Sequence, residues 1–214
     1  MRITSAKIIR VSGLAAIAAG TIYIGIQALH PLDMLESVTT TRWAVTHYLS
    51  MAMDMLALLG VAGLYAKQVH KAGLLGLIGY LLFSLFWLFS FAFHLVEAFI
   101  EPSLVLQAPQ YVAGLLGLVT STASEVSLGI FPLVYSLTGL VGYALGGLVF
   151  AIATIRTGIL PRLAGGLLAI GILLPLLTHS FVQHPFDRIL AVPVGLALIW
   201  LGYSLWSQRQ TKVA

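Results

Sequence analysis

The chain has no cysteine and no asparagine, and only 8% of its residues are charged. Without cysteine there can be no disulfide, no iron–sulfur cluster and no thiolate metal site. Soluble domains carry about 25% charged residues, so this composition excludes an ordinary soluble domain. No P-loop, HExxH, GxSxG or GxGxxG motif is present, and no such signature names a reaction. The apolar runs do not alternate as the strands of a membrane β-barrel would.

What the chain has is hydrophobicity. Of 214 residues, 59% are hydrophobic, and the mean hydropathy is +1.01. A bilayer-spanning helix needs about 20 mostly apolar residues. Six stretches qualify, roughly 8–29, 43–66, 74–99, 132–155, 163–181 and 189–206. The expected fold is all-α and polytopic: a single transmembrane domain over residues 1–214, built as a six-helix bundle of three helical hairpins. Gly13-Leu-Ala-Ala-Ile17 and Gly166-Leu-Leu-Ala-Ile170 open two runs that both close in His-Pro-x-Asp. This suggests a parallel repeat of helices 1–2 and 5–6. The run after Arg2, Lys7 and Arg10 is long enough to be an uncleaved first helix.

The charges are asymmetric. Arg2, Lys7, Arg10, Lys67, Lys71, Arg156, Arg162, Arg209 and Lys212 fall on one side of that layout, and only Arg42 and Arg188 on the other. The positive-inside rule then puts both termini in the cytoplasm, with the protein in the cell inner (plasma) membrane. The net charge of +4 is a topology signal and gives no case for nucleic acid. Asp33, Glu36, Glu97, Glu101, Glu125 and Asp187 lie toward the outer side, whereas Asp54 falls within helix 2. The connection 101–131 is far longer than a typical loop. Its apolar segment 111–118, approached through Pro102 and Pro109, predicts a short helix lying on the outer face or dipping into it.

Three histidines are each followed three residues later by an acid: His30-Pro-Leu-Asp33, His94-Leu-Val-Glu97 and His184-Pro-Phe-Asp187. The first and last precede prolines that stop helices, and Arg42 and Arg188 stand by to pair with Asp33 and Asp187. These residues read as structural corners. The middle pair differs. Ser90, His94, Glu97 and Glu101 lie within about 60° of one another on helix 3. His47, Ser50 and Asp54 form a second stripe on helix 2, with Asp54 about 16 Å along the axis from Trp43. Ionisable groups at such depth are costly and functional by default. The two stripes are expected to face each other, and helix 5 adds Thr178, His179 and His184.

Several chemistries fit these residue types. His94, Glu97 and Asp54 are the acid–base candidates for catalysis. His47, His94 and His179 are candidates for holding a cofactor, and His47, His94, Glu97 and His184 for a metal. A metal ion or haem suits such a His/carboxylate set. The leading expectation is an outer-half site binding a metal, haem or small apolar ligand. A proton-coupled small-molecule transporter, a lipid- or isoprenoid-modifying membrane enzyme and a non-catalytic accessory subunit are alternatives, so whether the protein is an enzyme stays open. The expected partners are the lipid bilayer and a small apolar ligand or lipid. Gly142 and Gly146 form a GxxxG motif that permits close helix approach, within the bundle or between copies.

His30-Pro with Trp43-x3-His47, Gly63-Leu-Tyr-Ala-Lys-Gln68, Arg156-Thr-Gly-Ile-Leu-Pro-Arg162 and Gly202-Tyr-Ser-Leu-Trp206 are short motifs spread over nearly the whole chain. In these the chain resembles a group of small uncharacterised bacterial multi-spanning membrane proteins, which implies the fold and no activity. Locally, Phe93-His-Leu-Val-Glu97 is similar to the histidine–glutamate helix of emopamil-binding sterol isomerases. There the acid follows the histidine by four residues, and here by three.

Overall fold

The structure is a computed structural model and describes residues 4–120, 122–178, 181–182 and 185–207. His179 and His184 lie outside the described residues. Among the described residues the chain is helical throughout, with no strand. The elements are α1 (Ser5–Leu29), α2 (Leu35–Val38), α3 (Thr41–Leu104), α4 (Pro109–Thr120), α5 (Phe131–Thr157), α6 (Arg162–Thr178) and α7 (Phe186–Ser207). Four of them, α1, α3, α5 and α7, are long and apolar enough to cross a membrane, and α6 is a shorter apolar helix of 17 residues.

Local sequence explains the boundaries. Thr4 caps α1 by accepting the Lys7 N–H, and Pro31 follows its last turn. Thr40 caps α3 by accepting the Trp43 N–H at 3.2 Å. Such caps satisfy the orphan N–H groups of a first turn. At Gly73 the backbone leaves the helix (φ 56°, ψ −158°), in a region only glycine enters freely. There α3 doubles back. Tyr65 stacks on Tyr80 at 4.5 Å, and Trp43 reaches the backbone of Glu97. Each of these pairs straddles Gly73 nearly symmetrically, so arm 41–72 and arm 74–104 form an antiparallel hairpin. Gly158, in the left-handed conformation, ends α5.

The helices close into a ring through small residues. The first arm of α3 packs on α1, where a Cβ added at Gly60 would fall 2.8 Å from the Ala16 Cα. α1 packs on α7 through Gly13 against Gly202 and Gly20 against Gly195. α7 meets α6 at Val194 and Gly171, and α6 meets α5 at Gly165 and Ala151. α5 returns to the second arm of α3, with Gly79 on Phe150, Gly142 on Phe86 and Gly146 on Leu82. Gly142 and Gly146 therefore make their close approach within the chain. Absent side chains let backbones meet, which is how helices gain dispersion contact in lipid. The centre is filled by Ala57, Val61, Leu64, Phe83, Phe150, Leu168 and Leu198, all buried.

The long connection after α3 holds α4. α4 buries Val112, Leu115 and Leu116. Val112 and Leu116 join Val38, Trp43 and Val105 in a second apolar cluster. α4 thus covers the end of the hairpin opposite Gly73.

Candidate functional site

The α3 hairpin brings its two polar stripes face to face. His94 Nδ1 lies 2.6 Å from Asp54 Oδ2. His47 Nε2 lies 3.3 Å from Glu97 Oε2. The register that sets these pairs is also fixed by Trp43, whose indole N–H donates to the Glu97 carbonyl at 2.7 Å. Glu97 sits in a widened turn, where the Glu101 N–H donates to the Val96 carbonyl five residues back. Turns of this π type concentrate at functional sites.

The two pairs differ chemically. His47 commits its Nδ1–H to the Trp43 carbonyl at 2.7 Å, so Nε2 alone faces Glu97. That contact is within ion-pair distance but off the hydrogen-bond line, and it leaves Nε2 without an aligned partner. His47 is fully buried and Asp54 is too. His94, by contrast, is 22% exposed. Its Nδ1–H is oriented by the Asp54 carboxylate, while Nε2 has no hydrogen-bond partner among the described residues. A carboxylate that fixes one ring nitrogen and leaves the other facing open space is the arrangement of an acid–base imidazole.

His94 borders a chamber of about 320 Å³ enclosed by α1, both arms of α3 and α5. Its polar lining residues are Gln27, His30, Ser50, Ser90, His94 and Glu97. Its apolar lining includes Ile26, Met53, Phe86, Trp87 and Phe93, with Tyr23 and Tyr135 contributing aromatic rings. Trp87 has an indole N–H with no acceptor, and Asp54 Oδ1 has no donor. Buried polar groups are normally paired, but both atoms are sealed within the packing beside the chamber rather than open to it. A volume near 300 Å³ with an apolar lining and a few convergent polar groups is typical of a small-molecule site.

The rim beyond this chamber is held by the corner residues. His30 donates Nδ1–H to the Pro31 carbonyl at 2.8 Å and sits 5.0 Å from the His47 ring. Burial pushes the His30 imidazole below its ordinary pKa, against the pull of that hydrogen bond, and the nearby Arg188 guanidinium adds to the lowering. Arg188 donates to the carbonyls of His30 and Pro31 at 3.1 and 3.0 Å and pairs with Asp33 at 2.5 Å. It therefore pins the start of α7 to the end of α1. Arg42 donates to the Leu29 carbonyl at 2.7 Å, where a cation complements the negative end of the α1 dipole. Asp187 lies in the first turn of α7. Glu101 is buried, with Oε2 unpartnered, beyond Glu97 on the same arm.

Of the residues singled out from the sequence, the structure thus brings His30, His47, Asp54, His94 and Glu97 together. Among the described residues, no group of three or more His, Asp or Glu side chains is arranged to hold a metal ion. His47 and Glu97 of the expected metal set meet each other, and His94 meets Asp54 instead. Sequence reasoning missed Gln27, Trp87, Tyr135 and Thr138 as chamber walls. Gln27 carried a usable signal as a long polar side chain within the apolar run of α1. The aromatic residues carried none, because aromatic side chains are common throughout apolar helices. Comparison with known proteins found no matching family, no matching curated protein and no matching solved structure.

Proposed function

We propose that this chain is a multi-pass protein of the plasma membrane that binds a small, mostly apolar molecule with one polar group in the chamber beside His94. In this reading Asp54 and His94 form an acid–base pair that takes or gives a proton at that polar group. The observation that carries it is the 2.6 Å contact between Asp54 and His94 at the wall of a cavity of about 320 Å³.

The membrane arrangement in this proposal has six crossings: α1, the two arms of α3, α5, α6 and α7. The turns at Gly73 and Gly158 then lie on the same side as the basic residues Lys67, Lys71, Arg156 and Arg162, which the positive-inside rule assigns to the cytoplasm. The chamber falls in the outer half. Three hairpins result, each joined at the outer end, which keeps a parallel repeat of the first and last as part of the proposal.

An organic ligand fits the donors better than a resident metal or haem. Both His47 nitrogens already face protein atoms, and His94 is committed to Asp54 through Nδ1. Mass spectrometry of the intact protein, purified in nanodiscs, tests the reading. A bound organic molecule that is retained by the wild type and lost in Asp54→Asn is the expected result. Wild-type protein that carries a stoichiometric metal or a haem absorption band in its place would overturn it.

A further inference from the structure

The chamber does not stand alone. A second hollow of about 310 Å³ lies along the exposed seam between the second arm of α3 and α5. Its walls are almost wholly apolar, with Leu85, Phe89, Leu137 and Val141 among them. Phe86 and Thr138 line both spaces, so the two adjoin at these residues. The Thr138 hydroxyl gives its proton to the Val134 carbonyl at 2.8 Å, so it is already engaged within its own helix. Leu85, Phe89 and Leu137 are each more than a third exposed, so the groove opens to the hydrocarbon phase if the chain sits in a bilayer as proposed.

The chamber also constrains charge. Among the described residues no lysine or arginine lines it. Glu97, the carboxylate among its described lining residues, lies 3.3 Å from His47, and Asp54 behind the wall pairs with His94. Arg188, the nearest guanidinium at the rim, is engaged by Asp33 and by the carbonyls of His30 and Pro31. A phosphate or carboxylate head would find no free cation. An uncharged head that both donates and accepts hydrogen bonds is matched by His94, whose Nδ1 is held by Asp54, and by the hydroxyls of Ser50 and Ser90 among the lining residues.

We infer that the ligand is an uncharged single-chain amphiphile of the long-chain alcohol type, with its hydroxyl in the chamber and its hydrocarbon tail in the groove past Phe86 and Thr138. This rests on the chamber reading and adds the tail path and the head chemistry. The shared wall of Phe86 and Thr138 assigns the groove its occupant: it is the tail of the molecule whose head is in the chamber. The molecule reaches the site sideways from the bilayer, between α5 and the second arm of α3.

Photolabelling of the full chain in nanodiscs tests the inference with three diazirine probes: 1-hexadecanol labelled near its chain end, 1-octanol labelled near its hydroxyl, and hexadecane without a hydroxyl. Hexadecanol is expected to label residues 82–89 and 134–142, and octanol to label residues near His94 and Tyr135. Leu137→Trp fills the groove at an exposed position, where folding tolerates it. It should cut hexadecanol labelling at least tenfold and leave octanol labelling unchanged. Hexadecane that labels the groove as strongly as hexadecanol makes the groove an ordinary lipid-filled seam and overturns the inference. Octanol labelling at the chamber with hexadecanol labelling insensitive to Leu137→Trp also overturns it, while the chamber reading survives. If neither alcohol labels the chamber, the chamber reading falls and the tail path with it.

Discussion

Asp54 and His94 are forty positions apart and meet at 2.6 Å across the α3 hairpin. The pair couples the fold to the site, because the same contact that closes the two arms also orients the imidazole. Asp54→Asn and His94→Gln should each destabilise the protein by about 2–4 kcal/mol, since each leaves a buried polar partner badly matched. The double variant should cost less than the sum by about 1–3 kcal/mol. Reversible unfolding in mixed micelles measures all three, and strict additivity would show that the contact carries no coupling.

Gly60 and Gly139 should respond oppositely to alanine. A Cβ at Gly60 meets the Ala16 backbone at 2.8 Å, whereas nothing lies within 4 Å of one at Gly139. Gly60→Ala is expected to cost about 1–3 kcal/mol through overpacking. Gly139→Ala is expected to be neutral or to stabilise by up to about 1 kcal/mol through helix propensity. Melting temperatures in one detergent suffice for the comparison.

Arg188 joins α7 to α1 through Asp33 and two backbone carbonyls. Arg188→Ala should lower stability by about 3 kcal/mol, because a nearly buried carboxylate loses its cation. Arg188→Lys should recover only part of this, since an ammonium cannot hold the three oxygens in one planar fork. Limited proteolysis between α6 and α7 should quicken in both variants.

The pH dependence of stability has a defined sign at His30. Its pKa in the folded protein is lowered, chiefly by burial. The unfolded chain takes up that proton near pH 6.5, and the folded one only at lower pH. The stability from a neutral His30 is therefore complete above about pH 6.5 and is lost as the pH falls below it. His30→Gln cannot titrate, so its melting temperature should fall less steeply between pH 7 and pH 5 than that of the wild type. Parallel curves would remove His30 from the account.

Trp43→Phe deletes the indole N–H that donates to Glu97 while keeping most of the ring packing. The expected loss is about 1 kcal/mol, together with weaker ligand retention, because the Glu97 turn forms part of the chamber wall.

The sequence made some of this readable. Hydropathy marked the helical stretches, but its six runs fall in four long apolar helices and one shorter one, because two of the runs are the arms of α3 on either side of Gly73. The stripes Ser90–His94–Glu97 and His47–Ser50–Asp54 followed from the 3.6-residue period. Their meeting followed from the hairpin, since an antiparallel fold about Gly73 leaves Asp54 opposite His94. Other features were not readable. Nothing local tells Arg188 to reach Asp33 across 155 positions, since arginine reach depends on which helices become neighbours. The chamber wall of Gln27, Trp87 and Tyr135 depends on the rotation of α1 and α5 about their axes, which small-residue packing at Gly20, Gly60 and Gly142 decides. The expected pairing of the corners came out differently for the same reason: Asp33 meets Arg188, and Arg42 meets the end of α1.

The contact of α1 with α7, through Gly13 on Gly202 and Gly20 on Gly195, has a consequence for biosynthesis. Arg10 adds a bond from its guanidinium to the Trp206 carbonyl at 3.2 Å. α1 leaves the ribosome well before α7, its neighbour in the fold, so one flank of α1 stays bare until α7 has been made. Nascent chains lacking α7 would expose that glycine-bearing flank, and quality-control proteases have a feature by which to tell them from finished molecules.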